Sequence, residues 1–548
     1  MREVTKTDVL VIGGGSAGCM AAIKAKEADP KLRVTIVEKA HIKRSGAIAR
    51  GMDAMNIVVV PEVSSPREYV EAMRIRCAGI LNEELCYLMA EKSFPMIKEL
   101  ESWGVEFLKD SSGNYETFQV HPKGRFLVPM VAPDLKVILA EKVQNRDVEV
   151  LNHSMVTSLL SQGGRVAGAV CLNTRSGEVF LIQAKTTILT TGAAGRFGLP
   201  PSGYLYGTYE CPSNAGDGYS LAYHVGAELT GFEYTIRSVL IKDFNGPLWY
   251  ITVTRGAKVL NGLGEEIKVE GVDIVSVLDE LYKGKGPIYI QLRHLPEKTI
   301  RELEEILFTT ERPSQEKFFA GRGVDFRKDL IELHLTEVYL CGGHGITGLV
   351  IKKDSTTSLP GLLAAGDVAA VPMQHLTGAF VFGAIAGETA AQIASNSTFK
   401  ELDPRKLEVE RDRILEILDQ RGEIDVRAFE YKVRNMINEY LPSPKNAAKL
   451  RTALWWIERF RRDLKSLEVK DTHELGRALE MEFILDCAEI SARSSLKREE
   501  SRWGLIHFRS DFPERDDHNW MKHVRVKKDP ETGEMIVYTR PLEGKLKI

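Results

Sequence analysis

The segment at 339–348 concentrates groups that could carry out chemistry. It reads YLCGGHGITG, so His344 stands among four glycines and three residues after Cys341. Glycines beside a titratable side chain allow backbone to approach a bound molecule, and an imidazole can transfer a proton near neutral pH. A histidine satisfied by loop carbonyls would show the same pattern. We therefore predict that His344 is a catalytic residue, with an ordinary loop residue as the alternative.

A second glycine pattern lies near the N-terminus. The segment VIGGGSAG places Gly13, Gly15 and Gly18 in G-x-G-x-x-G order, after an apolar strand pattern and at the start of a helical one. Such a turn brings phosphate oxygens onto the unpaired N–H groups of the helix. Glu38 ends the next strand pattern, RVTIVEK, where a carboxylate can accept ribose hydroxyls. The unit predicts a dinucleotide site for FAD or NAD rather than NADP.

Two glycine-rich segments far along the chain distinguish FAD from NAD. TTGAAGRFG at 190–198 and LLAAGDVA at 362–369 each follow a strand pattern, and the second carries Asp367. An extended cofactor that runs across a whole domain needs backbone to approach it at several places, whereas a nicotinamide cofactor rarely does. The sequence therefore favours FAD.

Composition excludes several classes of protein. The formal net charge of −3 gives no reason to expect nucleic acid as a partner, and no apolar run reaches the roughly 18 residues of a membrane span. The N-terminal residues lead directly into a strand pattern without a signal peptide, which predicts a cytoplasmic location. The seven cysteines are dispersed without CxxC spacing. They predict buried, reduced thiols and neither a metal site nor an iron–sulfur cluster in this chain.

The elements that must position these residues fall into several segments. Strand patterns after 149 suggest a β-meander and a return to a parallel sheet, while LWYITVT and GPIYIQL predict strands in a more mixed segment. Charged helical patterns begin near 400. We predict an FAD-binding domain in two parts, a capping domain inserted between them, a helical domain and a C-terminal tail packed on the body. Their predicted bounds are 1–231 and 344–398, 232–343, 399–500 and 501–548.

Longer motifs resemble the flavoprotein subunit of the fumarate reductase/succinate dehydrogenase family. RSGAIARGMDAMN at 44–56 resembles its flavin loop, PGLLAAGDVA its PGLFAAGEVA, and ESRWGLIHFRSDFPERDDHNWMKH at 500–523 its C-terminal motif. The resemblance implies an α/β fold with an FAD-binding Rossmann-like domain, an inserted α+β capping domain and a C-terminal helical domain. The predicted cofactor-binding residues are Gly13, Gly15, Ser16, Ala17, Gly18, Glu38, Lys39, Ser45, Gly46, Gly51, Met155, Val156, Thr191, Gly192, Asn214, Asp217, Gly366, Asp367, Gly378 and Ala379.

Departures from the family are equally informative. Its covalent flavin ligand is a histidine just after the serine of the flavin loop, where this chain has Gly46 and Ala47, so FAD is predicted to be non-covalent. The histidine of its HxxMGG motif would fall at Val338. Two carboxylates need fixed cationic partners, and most of the expected arginines are missing. A C4-dicarboxylate substrate is therefore disfavoured.

Within the family, the alpha subunit of adenylylsulfate reductase has the more similar motifs. SGAIARGMDAMN resembles its SGAVAQGLSAIN and carries its active-site asparagine as Asn56, while YLCGGHGITG resembles YLLGSHSGCCG and carries its flavin-side histidine as His344. Ser213 replaces a tryptophan, and Arg237 is left as a substitute for an arginine that falls near Leu240. The resemblance implies a retained scaffold with a rebuilt substrate pocket.

The predicted catalytic residues are His344, Arg237, Arg255 and Asn56. Each arginine could instead form a surface ion pair. His375 remains a weaker candidate, and Arg293 and His294 are better interpreted as structural residues. We predict an FAD-dependent oxidoreductase that transfers electrons between flavin and a small anionic substrate, sulfur-containing substrates included.

The resemblance implies that the partner is a ferredoxin-like iron–sulfur subunit, with a higher-order hetero-oligomer among the possible assemblies. The alternatives are a soluble fumarate reductase, succinate dehydrogenase or L-aspartate oxidase-like enzyme, and an electron-transfer subunit without its own substrate.

Overall fold

The fold is described from a computed structural model. It describes residues 5–121, 123–132, 134–244, 246–269, 274–311, 314–403 and 405–546.

Strands occur throughout these ranges. In chain order they are β1 (Thr5–Ile12), β2 (Val34–Val37), β3 (Ala54–Met55), β4 (Glu106–Phe107), β5 (Val128–Val131), β6 (Glu149–Leu151), β7 (Ser154–Gln162), β8 (Arg165–Asn173), β9 (Val179–Leu189), β10 (Leu229–Thr230), β11 (Val239–Ile241), β12 (Lys258–Leu260), β13 (Ile288–Gln291), β14 (Leu330–Leu335), β15 (Gly348–Leu349), β16 (Leu362–Ala364), β17 (Ile424–Asp425), β18 (Leu467–Glu468), β19 (Lys522–Lys528) and β20 (Met535–Pro541).

The α-helices also occur along the whole chain. They are α1 (Ser16–Ala28), α2 (Pro66–Arg76), α3 (Glu83–Ser102), α4 (Leu135–Gln144), α5 (Asp217–His224), α6 (Trp249–Val253), α7 (Val275–Tyr282), α8 (Glu297–Glu305), α9 (Ser314–Arg322), α10 (His375–Ser395), α11 (Arg405–Leu418), α12 (Val426–Tyr440), α13 (Ala447–Asp463), α14 (Thr472–Lys497) and α15 (Asp517–Trp520).

The central sheet has the order β6-β2-β1-β9-β8-β7, and β16 also pairs with β9. The strands β6, β2, β1, β9 and β16 run parallel, whereas β7, β8 and β9 form an antiparallel meander. The predicted βαβ unit, meander and return strand are therefore confirmed. Because β16 joins the carboxyl half of β9, a segment far along the chain reaches the same sheet edge as the turn after β1, where ligands of such sheets bind.

Helix α10 packs directly against α1 in the core. A Cβ atom at Gly387 would lie 2.2 Å from the Ala21 carbonyl oxygen, so only a residue without a side chain permits this approach. By length and composition alone, α10 is the one helix in the described ranges that could cross a membrane, but 67% of its apolar window is buried inside the protein. An apolar core helix shows the same pattern.

A second sheet, β11-β14-β13-β12, is antiparallel and belongs to the segment predicted as the capping domain. Its buried residues, from Val239 to Leu333, form a hydrophobic cluster of their own. The strand predicted for GPIYIQL is present as β13, but the strand predicted for LWYITVT is wrong. Those residues form the short helix α6, in which Trp249, Ile251 and Thr252 are buried. A short apolar run fits either structure, and packing decided between them.

The predicted C-terminal helices are present, but they share the main core with the FAD-binding part, because buried residues of α12, α13 and α14 belong to the same cluster as those of α1 and α10. Residues 522–541 form the β19–β20 hairpin, which pairs with β10, where no strand was predicted. The predicted α/β class, with a Rossmann-like part, an inserted α+β segment and C-terminal helices, is confirmed. The domain bounds themselves remain a prediction.

Candidate active site

Two cavities meet at the end of the central sheet. One, of about 110 Å³, lies at the turn between β1 and α1, and we call it the dinucleotide cavity. The other, of about 310 Å³, is bordered by β11 and the residues just before it, and we call it the cap cavity. Ser16, Ala47, Asp367 and Ala379 line both. A cofactor lying in the first cavity can therefore reach the second.

The dinucleotide turn has the close backbone packing that its glycines predicted. Gly13 has φ +101°, and a Cβ atom there would lie 2.5 Å from the Thr190 carbonyl oxygen. A Cβ atom at Gly18 would lie 1.9 Å from the Gly13 carbonyl oxygen. At Gly15 the nearest atom would be 3.8 Å away, in Gly46, so this position leaves room for a phosphate group. The helix α1 begins immediately afterwards and presents its free N–H groups there.

Glu38 is fixed at the end of β2 by two backbone donors. Its carboxylate accepts hydrogen bonds of 2.7 Å from the N–H of Gly14 and 2.7 Å from the N–H of Ala40. These bonds hold the carboxylate beside the turn, where it lines the dinucleotide cavity. A carboxylate there can accept the hydroxyls of a ribose.

The predicted flavin loop crosses the dinucleotide turn. Gly46 has φ +80°, and its Cβ position lies only 3.0 Å from the Cα of Gly15. Ser45 Oγ donates to the Gly14 carbonyl oxygen at 3.3 Å, which ties the loop to the turn. His41 is a surface residue at the start of this loop, where its ring accepts a hydrogen bond from the Lys43 N–H, and it lines neither cavity. This placement supports the prediction of non-covalent FAD.

The other predicted cofactor residues come from separate segments. Those that line the dinucleotide cavity are Gly13, Gly15, Ser16, Ala17, Glu38, Lys39, Gly46, Met155, Val156, Thr191, Gly192, Asn214, Asp217, Gly366, Asp367 and Ala379. Gly51 lines the cap cavity. Gly18, Ser45 and Gly378 line neither and pack around the walls instead. These residues fit FAD for three reasons. Gly15 leaves room for a phosphate, Glu38 presents a fixed carboxylate, and backbone from several distant segments lines the cavity.

His344 lies in the cap cavity, where the cap segment returns to the FAD-binding part. Its Nδ1 lies 2.8 Å from a carboxylate oxygen of Glu210. Burial alone would lower the pKa of His344, but the Glu210 carboxylate outweighs it and the pKa is raised. The Glu210 carboxylate therefore favours the protonated imidazole, and Nε2 faces away from this pair.

Two further histidines stand beside it. The ring of His375 lies 5.0 Å from that of His344 and 6.2 Å from that of His121, measured between centroids. Burial, followed by the charge of His344, holds the pKa of His375 well below its usual value, and its Nε2 is buried without a hydrogen-bond partner in the described residues. His121 Nε2 lies 3.2 Å from Asn56 Oδ1. The pKa of His344 is thus shifted upward while those of His121 and His375 beside it are shifted downward.

Asp367 stands between the two cavities. Burial, followed by repulsion from Glu210, raises the pKa of Asp367 to about 7, although the His344 charge opposes the shift. A carboxyl group with this pKa is close to half protonated at neutral pH and can donate as well as accept a hydrogen bond. Asp367 is therefore suited to the polar edge of a flavin ring.

Arg237 also lines the cap cavity. Burial lowers the pKa of Arg237, and a hydrogen bond from its guanidinium to Tyr282, with the nearby Glu337, only partly compensates. Its Nε is buried and has no hydrogen-bond partner in the described part of the chain. A guanidinium in this state favours an anionic ligand.

The structure does not support Arg255 as a substrate-binding residue. Its side chain pairs with Glu302 at 2.8 Å, donates to the Ile251 carbonyl oxygen at 3.1 Å and stacks over Phe118. It is not among the described residues that line either cavity. The sequence could not distinguish this ion pair from an anion site, because Glu302 lies 47 positions away.

Several cavity residues were not predicted from the sequence. Glu210, Arg76 and His121 come from three separate segments without a local motif. Trp503 lies within the C-terminal segment at 500–523 that resembles the family motif, which was the only signal for it in the sequence. It lines the cap cavity, adopts φ +61° and buries an indole Nε1 without a hydrogen-bond partner in the described residues.

Glu210, Cys341 and His344 place one potential ligand atom each within 4.8 Å of one another. Burial raises the pKa of the Cys341 thiol well above its usual value, and its sulfur accepts hydrogen bonds from the N–H groups of Gly343 and His344. A protonated thiol is a poor metal ligand. That the chain holds no metal remains a prediction. The seven cysteines are all buried and unpaired by disulfides, as predicted.

Comparison with known proteins identifies two family models and several similar proteins. The FAD binding domain family model matches residues 8–379, and the fumarate reductase flavoprotein C-terminal model matches 430–547. A fumarate reductase (CoM/CoB) subunit from Methanothermobacter marburgensis is 28% identical, over 93% of this chain and 95% of its own. The alpha subunit of adenylylsulfate reductase from Megalodesulfovibrio gigas is 25% identical, over 97% and 95%.

A solved adenylylsulfate reductase from Archaeoglobus fulgidus superposes with a TM-score of 0.89 at 25% identity, covering 98% of this chain and 96% of its own. The two family models together span most of the described fold, including both cavities. The chain is an FAD-dependent oxidoreductase that belongs to the fumarate reductase and adenylylsulfate reductase family of flavoproteins.

Proposed function

We propose that the chain is the catalytic flavoprotein subunit of a two-component enzyme that transfers an electron pair between FAD and a small anionic substrate, sulfur-containing substrates included. The observation that carries this proposal is the Glu210–His344 pair of 2.8 Å in a cavity that shares its walls with the dinucleotide cavity. A proton donor therefore stands beside the place where a flavin ring would lie.

When bound, FAD supplies a carrier for two electrons. The chain must bind the substrate, keep water away and handle one proton. In the direction of reduction, His344 gives the proton from Nε2 while Glu210 stabilises the imidazolium beforehand. In oxidation the neutral imidazole takes the proton. Arg237 binds the anionic group, and Asn56 is placed to hydrogen-bond the acceptor.

A fumarate reductase, succinate dehydrogenase or L-aspartate oxidase-like activity is the second candidate, since one similar protein is named as a fumarate reductase subunit. Its support is weaker. Val338 occupies the position where the family has the histidine of its HxxMGG motif. It is fully buried in the core and lines neither cavity. An electron-transfer subunit without its own substrate is a third candidate, and a cavity of about 310 Å³ containing His344 and Arg237 opposes it.

We also propose a ferredoxin-like iron–sulfur partner and a cytoplasmic location. Support for the partner comes from the two similar proteins, whose names describe them as subunits. Purification of the native complex tests this directly. We expect iron–sulfur absorption together with a small co-purifying protein, whereas a pure flavoprotein without cluster absorption would contradict the two-component assembly.

The catalytic proposal is tested with holoprotein reduced anaerobically by light with 5-deazaflavin, which leaves no sulfite, and mixed with adenylylsulfate or fumarate. The return of oxidised flavin absorbance reports electron transfer to the acceptor. We expect reoxidation by an anionic acceptor in the wild type and a large loss in His344→Ala. Rapid reoxidation by fumarate would favour the second candidate, and no reoxidation by any anionic acceptor would favour the third.

A further inference from the structure

We propose that one face of α13 is a docking surface for an acidic iron–sulfur partner protein. The face consists of Arg451, Trp455, Arg459 and Arg462, and we call it the α13 face. The inference rests on the proposed function, because it assigns a surface to the partner of the two-component enzyme. It concerns where the partner is held and leaves the chemistry of the cap cavity unchanged.

Helical spacing places these four side chains on one side of α13. They follow one another at intervals of four, four and three residues, which brings side chains onto a common face. All four are exposed. The opposite side of the helix packs into the main core through Leu450, Ala453, Ile457 and Phe460. The core behind it therefore fixes the α13 face in position.

Trp455 is the unusual member of this face. It is 51% exposed, whereas tryptophan is mostly buried in folded proteins. Its ring lies 4.8 Å from that of Trp456, which stacks on the buried Phe460 at 5.5 Å. The Arg459 guanidinium lies 5.9 Å from the Trp455 ring. A side chain held in place before binding loses little conformational freedom when a partner covers it, and tryptophan and arginine dominate the binding energy of many interfaces.

The cations of the α13 face are not used inside the protein. Arg461, which lies outside this face, pairs with Asp486 at 2.7 Å. Arg451, Arg459 and Arg462 have no ion-pair partner among the residues that the structure describes. The whole chain carries a formal net charge of −3, so this positive surface is local. Exposed cations without internal partners attract an anionic surface.

Helix stability does not account for this charge. Cations stabilise the C-terminal end of a helix, where Arg462 lies, but not the N-terminal end. The first turn of α13 nevertheless contains no acidic residue and includes Lys449, and Arg451 follows in the second turn. Glu458 is the only exposed acidic residue of this helix, which is described throughout. Basic residues along the whole length therefore indicate recognition of an external anionic group.

A protein with clustered carboxylates fits this face better than other polyanions do. Three guanidiniums can each pair with a carboxylate, and the exposed indole among them gains from an apolar contact. Nucleic acid is disfavoured because single-strand sites use several aromatic rings for successive bases. An anionic membrane is disfavoured because the apolar side of α13 is already buried in the core. The partner is thus an acidic protein surface with an apolar centre.

The position of α13 leaves the reaction site open. No residue of α13 lines the dinucleotide cavity or the cap cavity. Helix α13 packs on α14, which in turn packs on α5. The first residue of α5, Asp217, lines the dinucleotide cavity. A protein docked on the α13 face can therefore be held two helices away from the cofactor without occupying the substrate cavity.

Rebinding of the partner to the holoprotein tests the docking surface. The affinity-tagged chain is purified anaerobically from cells that produce the native complex, and acid-labile sulfide per flavin reports the iron–sulfur subunit. The subunit released by salt is then titrated back onto each variant by biolayer interferometry. We expect Trp455→Ala and Arg459→Glu each to weaken binding at least about tenfold, as at interface hot spots. Wild-type affinity should fall as NaCl rises from about 0.05 M to about 0.5 M.

Matched variants separate the α13 face from general effects. Arg459→Lys keeps the charge and should keep most of the affinity. Arg175→Glu reverses an exposed charge on the β8–β9 turn, and Tyr204→Ala removes an aromatic side chain that is 66% exposed. Both should bind the partner as the wild type does. Flavin content after gel filtration verifies folding, and flavin reoxidation by an anionic acceptor should be unchanged in Trp455→Ala, because α13 lines neither cavity.

Wild-type affinity for the iron–sulfur subunit in both Trp455→Ala and Arg459→Glu would refute the docking surface alone and retain the two-component enzyme. Loss of a co-purified nucleic acid in these variants, with sulfide retained, would also overturn the docking surface. A wild-type preparation without an iron–sulfur subunit would refute the two-component assembly together with its docking surface. Flavin reoxidation by an anionic acceptor in that preparation would still retain an oxidoreductase.

Discussion

The dinucleotide cavity and the cap cavity differ in how the buried charged and polar side chains around them are paired. Beside the dinucleotide cavity, Lys39 pairs with Asp217 at 2.6 Å and with Glu480 at 2.7 Å, and Arg196 pairs with Glu480 at 2.5 Å. Arg196 also meets Glu430 at 3.1 Å. Burial would raise the pKa of Glu480, but the charges of Arg196 and Lys39 lower it to about 2.

The cap cavity leaves its polar groups incomplete. The Nε of Arg237, the Nε2 of His375 and the Nε1 of Trp503 are all buried without hydrogen-bond partners in the described residues. The ion-pair network holds separate segments together, although Arg477 Nε within it also lacks a hydrogen-bond partner among the described residues. The three donors of the cap cavity differ because they line a cavity that a ligand can enter. The difference therefore separates the structural end of the site from the chemical end, and mutations should act on stability at one and on turnover at the other.

The largest effect is expected from His344→Ala. Removal of the proton donor should lower turnover by roughly two to four orders of magnitude while FAD remains bound, because His344 lines only the cap cavity. Steady-state rates and the flavin-to-protein ratio measure the two quantities. His294→Ala, a histidine outside the cavity, is the control. Turnover within twofold of the wild type would make His344 an ordinary loop residue.

Glu430→Gln should act at the other end, on stability. It removes the common partner of Arg434 and Arg477, which lie 2.8 Å and 2.6 Å away, and leaves buried cations unpaired. Loss of one member of such a network costs roughly 3–5 kcal/mol. The thermal midpoint of the holoprotein should fall clearly, with turnover per bound flavin unchanged. Glu332→Gln, which removes the partly exposed partner of Lys242, should change the thermal midpoint very little.

If Glu430→Gln lowered turnover per bound flavin as strongly as His344→Ala, the two ends of the site would not be separable. Equal thermal midpoints for Glu430→Gln and Glu332→Gln would show that the ion-pair network adds nothing to stability.

A change in pH dependence is expected from Glu210→Gln. Although burial lowers the pKa of His344, Glu210 raises it overall, so the protonated donor persists above its ordinary pKa and is lost as pH rises through the raised value. Substrate reduction should therefore fall on the alkaline side. In Glu210→Gln this fall should occur at lower pH, and the low-pH plateau should be less affected. An unshifted pH–rate profile would exclude this role of Glu210.

The smallest effect is expected from Arg255→Gln. Because its guanidinium pairs with the half-exposed carboxylate of Glu302, its loss should cost roughly 0.2–1 kcal/mol of stability and leave turnover within error. Thermal unfolding and steady-state rates measure both. A large loss of turnover would contradict the conclusion that Arg255 lies outside the cap cavity.

Local signals account for what the sequence predicted well. The turn at Gly13 and the following helix depend on neighbouring residues, so the βαβ unit and the dinucleotide site followed from a short segment. The preference for FAD over NAD needed the two glycine-rich segments at 190–198 and 362–369 as well. LWYITVT failed because a short apolar run fits a strand or a helix equally, and the packing of Trp249 decided. Glu210 and Arg76 were missed since only the three-dimensional fold brings them to His344. The catalytic roles themselves remain predictions.

The position of Trp503 also bears on how the protein is made. The turn at Gly13 and the flavin loop at Gly46 come early in synthesis, whereas this wall of the cap cavity comes from a segment roughly 490 residues later. The cap cavity can therefore be enclosed only after nearly the whole chain has been synthesised.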